Sequence, residues 1–542
     1  MKQFLVVLLL SMISFCENIF SQVVSPNIRI RPNPAVQQFE VCIDSHPSNS
    51  NIALVLWNSI DTAVSRNRMG WSYTTNGGLS WSGRDTLPSH LDPGNTAMVD
   101  PAVGIDADGF FFAGGFYGNP PFREAFVSRS QDTSLTWSQT TMTNGDDADK
   151  PHMAIDINPG SPYRNYIYIA YTPQYLSTPR PLRFVRSTNR GQTLSTPIAI
   201  SGTITGNLFA FGANLAVSAD SELYAAWGGF NTGGILTPGP IQLGFAKSSN
   251  GGASWTTAQS IGTMDNIGTL TKGVNNIRAW SLPSMAIDRG SGPRKGWIYL
   301  VYAERNPVRP DVFLIRSTDR GVSWSSRIQV NQDTTNDQWH AWTSVDPATG
   351  YLYVVYFDSR RFAGNDSAEV YISASTNGGI TFKDTRISDA AFLPQATRHM
   401  VVSNYIGSYI GISALQKNVL VCWNDNRTGF QQVYAARVAD SVLAKVPQPI
   451  NVKIPASLTL RQNFPNPFNP NTEIQFSLPR KSHVTLTIFD LLGRQVATLV
   501  SEELSAGSYS TRWDAAGFPS GVYLYRLRAG DFVETKKLLL LR

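Results

Sequence analysis

The chain is 542 residues long, with 45 Lys and Arg residues, 39 Asp and Glu residues and a formal net charge of +6. This length predicts more than one domain, or one large repeat domain with an appended one. The basic residues are scattered, which argues against a nucleic-acid-binding surface. Aromatic residues make up 11 % of the chain, and its 43 Gly and 32 Pro provide for many turns, as is typical of an all-β protein.

The N-terminus predicts a secretory signal peptide over residues 1–21. Lys2 precedes an apolar core from Phe4 to Ile13, which is too short to span a bilayer comfortably. No later segment reaches ~18 consecutive apolar residues, so we expect no transmembrane helix in the mature chain. That mature chain keeps two cysteines, Cys42 and Cys422, which either pair as a disulfide or are two small buried hydrophobic residues.

A turn motif, seen as SSNGGASW at residues 248–255, occurs six times between residues 74 and 382. In each copy an Asn or Asp side chain can accept hydrogen bonds from nearby backbone N–H groups, and glycine supplies positive φ in most copies. A Trp, Phe or Leu then leaves the turn. Such regular recurrence predicts a repeat architecture. The central residues are Asn76, Asp132, Asn189, Asn250, Asp319 and Asn377.

The motif resembles the Asp-box, S/T-x-D/N-x-G-x-S/T-W, also called the bacterial neuraminidase repeat. This resemblance implies a sialidase-like β-propeller, which we place at residues 22–440. In that family each box closes the turn between the third and fourth strands of a blade, on the face opposite the binding site. The six box residues are therefore expected to be structural.

Two strands precede each box, a first strand such as MAID (153–156) and an aromatic-rich second strand such as YIYIAYT (166–172). Seven such pairs occur against six boxes. We favour seven blades, the last completed by residues 25–31 from the N-terminus, because this closure protects the sheet edges. Six blades with an extra hairpin is the alternative. The first strands end in a repeated Asp, which indicates a turn role, at Asp44, Asp106, Asp156, Asp288 and Asp346.

After the repeats, residues 441–456 contain prolines and no repeat, and predict a linker. Residues 457–542 alternate strands with glycine turns, which predicts a small immunoglobulin-like β-sandwich. This segment resembles the type A C-terminal sorting domain of the type IX secretion system at NFPNPFNP (463–470), DLLGRQV (490–496), the Ala506-Gly507 turn, GVYLYRL (521–527) and the closing Lys-Lys-Leu. The resemblance implies export to the medium or the outer bacterial surface. An ordinary adhesion module is the alternative.

Polar residues that break the repeat are the candidates for chemistry. Those at the starts of first strands include three carboxylates that we predict as catalytic, Glu40, Asp100 and Asp149, with Lys150 and Tyr405 nearby in the same pattern. Aromatic rings can stack on sugar rings, and charged groups bind sugar hydroxyls or carboxylates. The predicted substrate-binding residues are His152, His340, Trp342, Arg305, Arg360 and Arg427.

The sialidase resemblance implies three arginines that clamp a substrate carboxylate, a Tyr nucleophile paired with Glu, and an Asp acid/base. Arg305, Arg360 and Arg427 lie at similar places in consecutive units and are the candidates for the clamp. The repeated Asp-x-Arg of YFDSR and WNDNR has a second explanation, since it can tie neighbouring loops. The family's early Arg motif is altered to IRIRP (28–32), and no Tyr–Glu pair stands out.

The sequence thus predicts a secreted or surface propeller that recognises an extracellular glycan or polymer, with exo-sialidase-like glycoside hydrolysis as its enzymatic form. A non-catalytic propeller that binds glycan or protein is the alternative. The predicted partners are this polymer and the type IX secretion machinery, without nucleic acid. No residue spacing indicates a metal site, and no cofactor motif occurs.

Overall fold

The computed structural model describes residues 24–61, 66–88, 98–119, 122–132, 136–138, 141–143, 147–173, 179–202, 209–231, 234–272, 275–306, 309–395, 405–439, 448–449, 457–480, 482–504 and 507–541. The predicted signal peptide and most of the predicted linker lie outside these residues. The chain divides into two compact units, residues 1–373 with 384–440 and residues 441–542 with 374–383. None of the described residues forms a helix able to cross a membrane.

The first unit contains seven four-stranded antiparallel sheets among its described residues, preceded by the short strand β1 (Ile28–Arg29). Sheet 1 is β2 (Val36–Ser45), β3 (Ala53–Asp61), β4 (Arg66–Thr74) and β5 (Ser82–Arg84). Sheet 2 is β6 (Met98–Ile105), β7 (Phe111–Asn119), β8 (Phe122–Ser130) and β9 (Thr141–Met142). Sheet 3 is β10 (Ala148–Ile155), β11 (Ile167–Pro173), β12 (Arg183–Ser187) and β13 (Ile198–Ala199). Sheet 4 is β14 (Phe209–Val217), β15 (Leu223–Phe230), β16 (Gly239–Ser248) and β17 (Gln259–Asn266).

A separate two-stranded hairpin, β18 (Thr269–Lys272) and β19 (Asn275–Arg278), follows sheet 4. Sheet 5 is β20 (Ser284–Ile287), β21 (Ile298–Arg305), β22 (Pro310–Ser317) and β23 (Ile328–Gln329). Sheet 6 is β24 (Gln338–Asp346), β25 (Tyr351–Asp358), β26 (Glu369–Ser375) and β27 (Lys383–Arg386). Sheet 7 combines β28 (Gly411–Leu415), β29 (Asn418–Asp425) and β30 (Gln432–Ala439) with β1 as its outer strand.

The first strands of the sheets form a closed ring. In the order β2, β6, β10, β14, β20, β24 and β28, each contacts the next, and β28 contacts β2. Each second strand is covered by the neighbouring sheets on both faces of its own sheet. The strands β11 and β15, for example, are buried along their whole length. Burial on both faces explains why these strands are continuous apolar runs rather than alternating ones. The prediction of an all-β propeller is confirmed.

The strand β1 joins the two ends of the ring. Ile28 pairs with Ala435 and Arg29 with Tyr434, so the N-terminal segment occupies the outer position of the sheet whose other strands come last in the propeller. Ile30, next to β1, is buried in a cluster with Val41, Trp57 and Val433. The closure therefore rests on side-chain burial as well as on backbone hydrogen bonds.

The six turn motifs have the hydrogen bonds that their residue types predict. Asn250 Oδ1 accepts hydrogen bonds from Ser254 N (2.9 Å) and Ser248 Oγ (2.9 Å), while its Nδ2 donates to Ser254 Oγ (2.8 Å). Gly251 and Gly252 have φ of 64° and 76°. Local bonds of the same kind are made by Asn76, Asp132, Asn189, Asp319 and Asn377.

One member of the predicted Asp repeat is misplaced. The turn position that Asp106 holds in sheet 2 is held in sheet 1 by His46, whose Nδ1 accepts a hydrogen bond from Ser48 N (3.2 Å). Asp44 lies two residues earlier, inside β2 and opposite Leu54, and its Oδ2 accepts from Ile105 N (3.0 Å). Burial raises the pKa of Asp44 to about 7.

Cys42 and Cys422 are free thiols in adjacent sheets. Burial raises the pKa of each thiol, so neither has the depressed pKa of a reactive cysteine. The two thiols are therefore unpaired; Cys422 is a small buried hydrophobic residue, whereas Cys42 is only partly buried.

The second unit contains two more four-stranded sheets. Its strands are β31 (Gln448–Pro449), β32 (Thr459–Leu460), β33 (Asn471–Leu478), β34 (Ser482–Phe489), β35 (Gln495–Leu504), β36 (Gly507–Asp514), β37 (Gly521–Ala529) and β38 (Phe532–Leu540). One sheet has the order β31-β36-β33-β32 and the other β35-β34-β37-β38. Both sheets contribute to one hydrophobic core that includes Leu486, Trp513 and Tyr525. This arrangement is a small β-sandwich; its immunoglobulin-like character stays a prediction.

We predict that Ile30→Ala destabilises the propeller by about 2–5 kcal/mol, because it leaves a cavity where the ring closes. The matched control is Ile198→Ala on the outer strand β13, where the side chain is 37 % exposed and the expected loss is below about 0.5 kcal/mol. Urea unfolding of the full chain, followed by tryptophan fluorescence, measures both. Equal losses in the two variants would contradict the role of this segment in closure.

Candidate functional site

Five first strands contain a β-bulge at equivalent positions, where the register of pairing with the second strand shifts. The shifts lie between residues 39 and 42, 99 and 102, 149 and 152, 211 and 214, and 339 and 342. The first bulge residue has positive φ in every case: Glu40 (55°), Asp100 (55°), Lys150 (48°), Gly212 (69°) and His340 (50°). This places the same unusual backbone at the same point of five sheets.

Left-handed backbone is free of strain only for glycine and costs other residues roughly 1–2 kcal/mol. Gly212 is the residue that this geometry favours. The other four positions keep ionisable side chains in spite of that cost. Because a bulge changes the direction of a side chain, and because strain of this kind concentrates at functional sites, the bulges mark the region where chemistry is to be sought.

The bulge residues of sheets 1, 2 and 3 meet in one cluster. The Lys150 ammonium donates a hydrogen bond to Glu40 Oε1 and lies 3.9 Å from Asp100 Oδ1. The backbone N–H of Lys150 donates to Asp100 Oδ2 (3.2 Å). Asn58 links the first two carboxylates, since its Nδ2 donates to Glu40 Oε2 and its Oδ1 accepts from Asp100 N (2.8 Å).

Tyr405 adds a hydroxyl to this cluster from the segment that precedes β28. Its hydroxyl donates to Glu40 Oε1 and lies 3.3 Å from Lys150 Nζ. Its ring meets Phe39 edge to face, with ring centroids 5.9 Å apart. A Tyr–Glu pair is therefore present, although the sequence did not reveal one. Its two members are 365 residues apart and meet because the ring closes sheet 7 against sheet 1.

Aromatic rings surround the Lys150 ammonium. Its nitrogen lies 4.2 Å from the ring centroid of Tyr409, 5.4 Å from that of Trp280 and 6.0 Å from that of Tyr405. The negative faces of the rings and the nearby carboxylates compensate its charge. Burial acts to lower the pKa of Lys150, but the charges of Asp100, Glu40 and Asp149 outweigh it and raise that pKa.

The three predicted catalytic carboxylates differ in pKa. Burial raises the pKa of Glu40 to about 8, although the charge of Lys150 acts to lower it. Burial and the charge of Asp100 raise the pKa of Asp149 well above its usual range. Burial opposes ionisation of Asp100 too, but Lys150 and hydrogen bonds from Asp149 and Glu40 outweigh it, so the pKa of Asp100 is lowered. At pH 7 the charge of Lys150 is therefore balanced by Asp100, while Glu40 keeps its proton.

The carboxyl group of Asp100 lies close enough to those of Glu40 and Asp149 to raise the pKa of both. The structure thus brings the predicted catalytic trio together. Two carboxyls that flank a glycosidic bond as acid and base, or as acid and nucleophile, stand about 5–9.5 Å apart. Glu40 and Asp100 are both buried and both contact the Lys150 ammonium, so they do not face each other across a bound sugar as those two roles require. Their pKa values, driven apart by a shared proton, fit a single acid–base unit.

A cavity of about 290 Å³ opens beside this unit. Aromatic, polar and cationic side chains all contribute to its wall. Among the described residues it is lined by Phe39, Glu40, Asn58, Ile60, Asn67, Val99, Asp100, Phe116, Arg123, Asp149, Lys150, Arg278, Trp280 and Tyr405. Arg278 and Trp280 come from the β19 hairpin strand and the residues after it, outside the seven sheets. Sequence analysis missed them, because an insertion within a repeat is visible only once every strand is assigned.

The predicted arginine clamp is not part of this cavity. Arg360 donates to Asp358 (2.8 and 2.7 Å) and to Asp384 (2.7 Å). Arg427 likewise pairs with Asp425 (2.7 Å) and with Asp389. Arg305 ends β21 with an exposed side chain. Arg360 thus ties a loop of sheet 6 to the outer strand of the same sheet, and Arg427 ties a loop of sheet 7 to the segment after sheet 6. The cavity wall contains none of the three.

The remaining predicted binding residues lie elsewhere. His152 and Trp342 line a second cavity of about 270 Å³ along the propeller axis, with ring centroids 6.1 Å apart. His152 Nδ1 accepts from Leu215 N (3.1 Å), and burial lowers its pKa to about 4. His340 is buried against Phe357, and burial with the charge of Lys150 lowers its pKa to about 3. The described residues contain no cluster of His, Cys, Asp and Glu able to hold a metal.

Solved structures with similar chain traces include three carbohydrate-active enzymes. A polysaccharide lyase, ulvan lyase of family PL25, is 12 % identical with a TM-score of 0.45, covering 77 % of this chain and 94 % of that one. The Hadza microbial sialidase Hz136 is 12 % identical with a TM-score of 0.41, covering 77 % and 95 %. The α-L-arabinofuranosidase Arb93A from Fusarium graminearum is 13 % identical with a TM-score of 0.41, covering 64 % and 93 %. Similarity at this level does not identify a reaction.

Among curated proteins, no match to this chain is found. A family model does match its C-terminal part, over residues 462–541, and its description is "Secretion system C-terminal sorting domain". The match spans β33 to β38 of the second unit and includes the NFPNPFNP segment, where Asn463 Nδ2 donates to Thr472 Oγ1 (2.8 Å). The chain therefore carries a C-terminal sorting domain of a bacterial secretion system, as its sequence predicted.

Proposed function

We propose that the propeller is a secreted enzyme that cleaves glycosidic bonds of an extracellular glycan, and that the cavity at Glu40, Lys150 and Tyr405 is its active site. The observation that carries the proposal is the hydrogen bond from the Tyr405 hydroxyl to Glu40 beside Lys150. A phenol is a weak nucleophile until a base takes its proton, and this pair supplies the base.

Exposure decides which group meets the substrate. Glu40 is 1 % exposed and lies behind Tyr405, whose side chain is half-buried at the cavity. The carboxylate therefore acts through the tyrosine. Tyr405 is the nucleophile that attacks the anomeric carbon, and Glu40 in its ionised form accepts the phenol proton.

The other groups of the cavity complete the reaction. The Lys150 ammonium, 3.3 Å from Tyr405 Oη, offsets the negative charge that forms on the phenol oxygen as its proton leaves. Asp149 keeps its proton at a higher pH than an ordinary Asp and supplies that proton to the leaving sugar oxygen. Water then hydrolyses the glycosyl–tyrosine bond: Asp149 accepts the proton of the water, and Tyr405 leaves as phenolate and takes its proton back from Glu40.

The wall of the cavity fits a sugar. Phe39, Trp280 and Tyr405 present aromatic rings beside polar groups. Rings of this kind pack against the CH groups of a sugar, while the carboxamide of Asn67 can bind a hydroxyl group. The sorting domain supports an extracellular polymer as the substrate, since it directs the chain out of the cell.

We predict that Tyr405→Phe lowers kcat by at least about a thousandfold, because it removes the nucleophilic oxygen and leaves the ring in place. The measurement is turnover of a panel of fluorogenic glycosides, sialosides included, by the full mature chain. Tyr163→Phe is the matched control, since Tyr163 is half-buried in the loop after β10, at the other end of sheet 3, and turnover should be unchanged. Absence of turnover by the unmodified protein on every glycoside would refute the enzyme and favour a propeller that only binds glycan or protein.

The acid–base unit predicts a pH dependence. Glu40 keeps its proton below pH about 8 and cannot accept one from Tyr405, so kcat/KM should rise with pH and level off above about 8. The charge of Lys150 lowers the pKa of Glu40, so Lys150→Met should move this limb to higher pH as well as reduce the rate. Rates of the best substrate between pH 5 and 10, measured for the unmodified protein and for Lys150→Met, give the rising limb of each. A flat profile from pH 6 to 9, or an unmoved limb in the variant, would contradict the assignment.

A further inference from the structure

A hairpin outside the seven sheets forms part of the cavity. Strands β18 and β19 pair from Thr269 with Arg278 to Lys272 with Asn275. The hairpin lies in the chain between sheets 4 and 5, and among the described residues no other connection between sheets contains a strand pair of its own. It is thus an insertion that breaks the repeat, and it places two side chains, Arg278 and Trp280, beside the acid–base unit of sheets 1 to 3.

A buried lysine fixes this hairpin to sheet 6. Lys272 is fully buried, and its ammonium donates to Asp337 Oδ2 (2.8 Å), Ser359 Oγ (2.9 Å) and Asn365 Oδ1 (2.9 Å). It also lies 4.3 Å from the ring centroid of Trp339. Burying an ammonium is favourable only when its partners are all in place, so this contact specifies one position of the hairpin.

The anchored hairpin sets Arg278 against the nucleophile. The guanidinium carbon of Arg278 lies 5.5 Å from the ring centroid of Tyr405 and 5.8 Å from that of Trp280. Trp280 in turn lies 6.1 Å from Tyr405, between ring centroids. The position of Arg278 relative to Tyr405 therefore depends on two contacts, the Lys272 anchor and the packing of Trp280.

Arg278 differs from the other cations of the cavity wall. Arg123 is paired with Asp147 (2.9 Å), and Lys150 is paired with Glu40. Within the described part of the chain, Arg278 makes no ion pair with a carboxylate, and its buried Nε has no hydrogen-bond partner. A guanidinium presents several N–H groups in a fixed plane that matches a carboxylate or sulfate, so this side chain is ready to bind such a group.

We propose that the β18–β19 hairpin is the specificity element of the cavity, in which Arg278 binds an anionic group of the substrate and Lys272 is a positioning residue that touches no substrate. The inference rests on the proposal that the cavity binds a glycan. It assigns anion recognition to an inserted hairpin rather than to the repeated arginines of sheets 5, 6 and 7. The group bound is a sugar carboxylate or a sulfate ester. Both are anions with at least two oxygens that can accept hydrogen bonds from the N–H groups of a guanidinium.

The first experiment compares binding of the full mature chain to an array of matched oligosaccharides that differ only in one carboxylate or one sulfate. The unmodified protein should bind the anionic member of at least one pair about tenfold or more tightly than its neutral partner. Carboxylate pairs and sulfate pairs are separate arms and identify which group is recognised. Equal binding within every pair, or no binding to any member, would overturn the proposal.

Variants of the named residues are then tested with the pair of oligosaccharides whose anionic and neutral members differ most in affinity. Arg278→Gln should abolish the preference while binding of the neutral member is kept, and Arg278→Lys should restore part of it. Arg320→Gln, at an exposed turn, is the control and should keep the preference. Persistence of the preference in Arg278→Gln would overturn the assignment.

Lys272→Met tests the anchor. Thermal unfolding first establishes that the variant folds, and hydrogen exchange of residues 269–278 reports the hairpin itself. We expect faster exchange there together with a reduced anionic preference; an unchanged preference with a loosened hairpin would remove the positioning role. Tyr405→Phe should keep the preference and lose turnover, so failure of the catalytic proposal is distinguishable from failure of this one.

Discussion

The buried ammonium of Lys150 is the contact on which the candidate site depends. It joins the carboxyl groups of Glu40 and Asp100 from two neighbouring sheets, and it is in turn enclosed by the rings of Tyr409 and Trp280. A buried cation needs partners on every side, and here those partners come from four parts of the ring. The same charge divides the carboxyls into one that is ionised and others that keep protons, which gives the cluster its acid–base character.

This cluster lies at the β-bulges of the first strands of the propeller. Where first strands converge at the axis, a bulge with left-handed backbone turns one side chain out of the regular alternation in each of five sheets. Gly212 shows the unstrained form of that position, and Glu40, Asp100 and Lys150 show the form that carries an ionisable side chain. The packed ring of seven sheets holds the strained backbone of these bulge residues in place. The inserted hairpin adds what the repeat does not supply, an aromatic and a cationic wall.

Local chemistry was predictable from the sequence, and long-range assembly was not. The turn at Asn250 needs only its own residues, and the trio Glu40, Asp100 and Asp149 could be selected because it breaks a repeat. The Tyr405–Glu40 pair joins residues from the two ends of the ring, so no spacing reveals it. Asp44 ends the same kind of apolar run as Asp106 and Asp156, and only the strand pairing shows that β2 continues past it to Ser45. The ion pair of Arg360 with Asp358, two residues away, is likewise visible only in the structure.

The pairing of β1 with β30 has a consequence for the order in which the molecule forms. Residues about 400 positions apart must meet before sheet 7 is complete, so the ring stays open until nearly the whole propeller has been synthesised. Sheets 1 to 6 can form from neighbouring segments, whereas Glu40 acquires its contact with Tyr405 only at the final step. Completion of the candidate site and completion of the fold are thus one event, and a chain interrupted before β30 has an unpaired edge and an unfinished site at the same time.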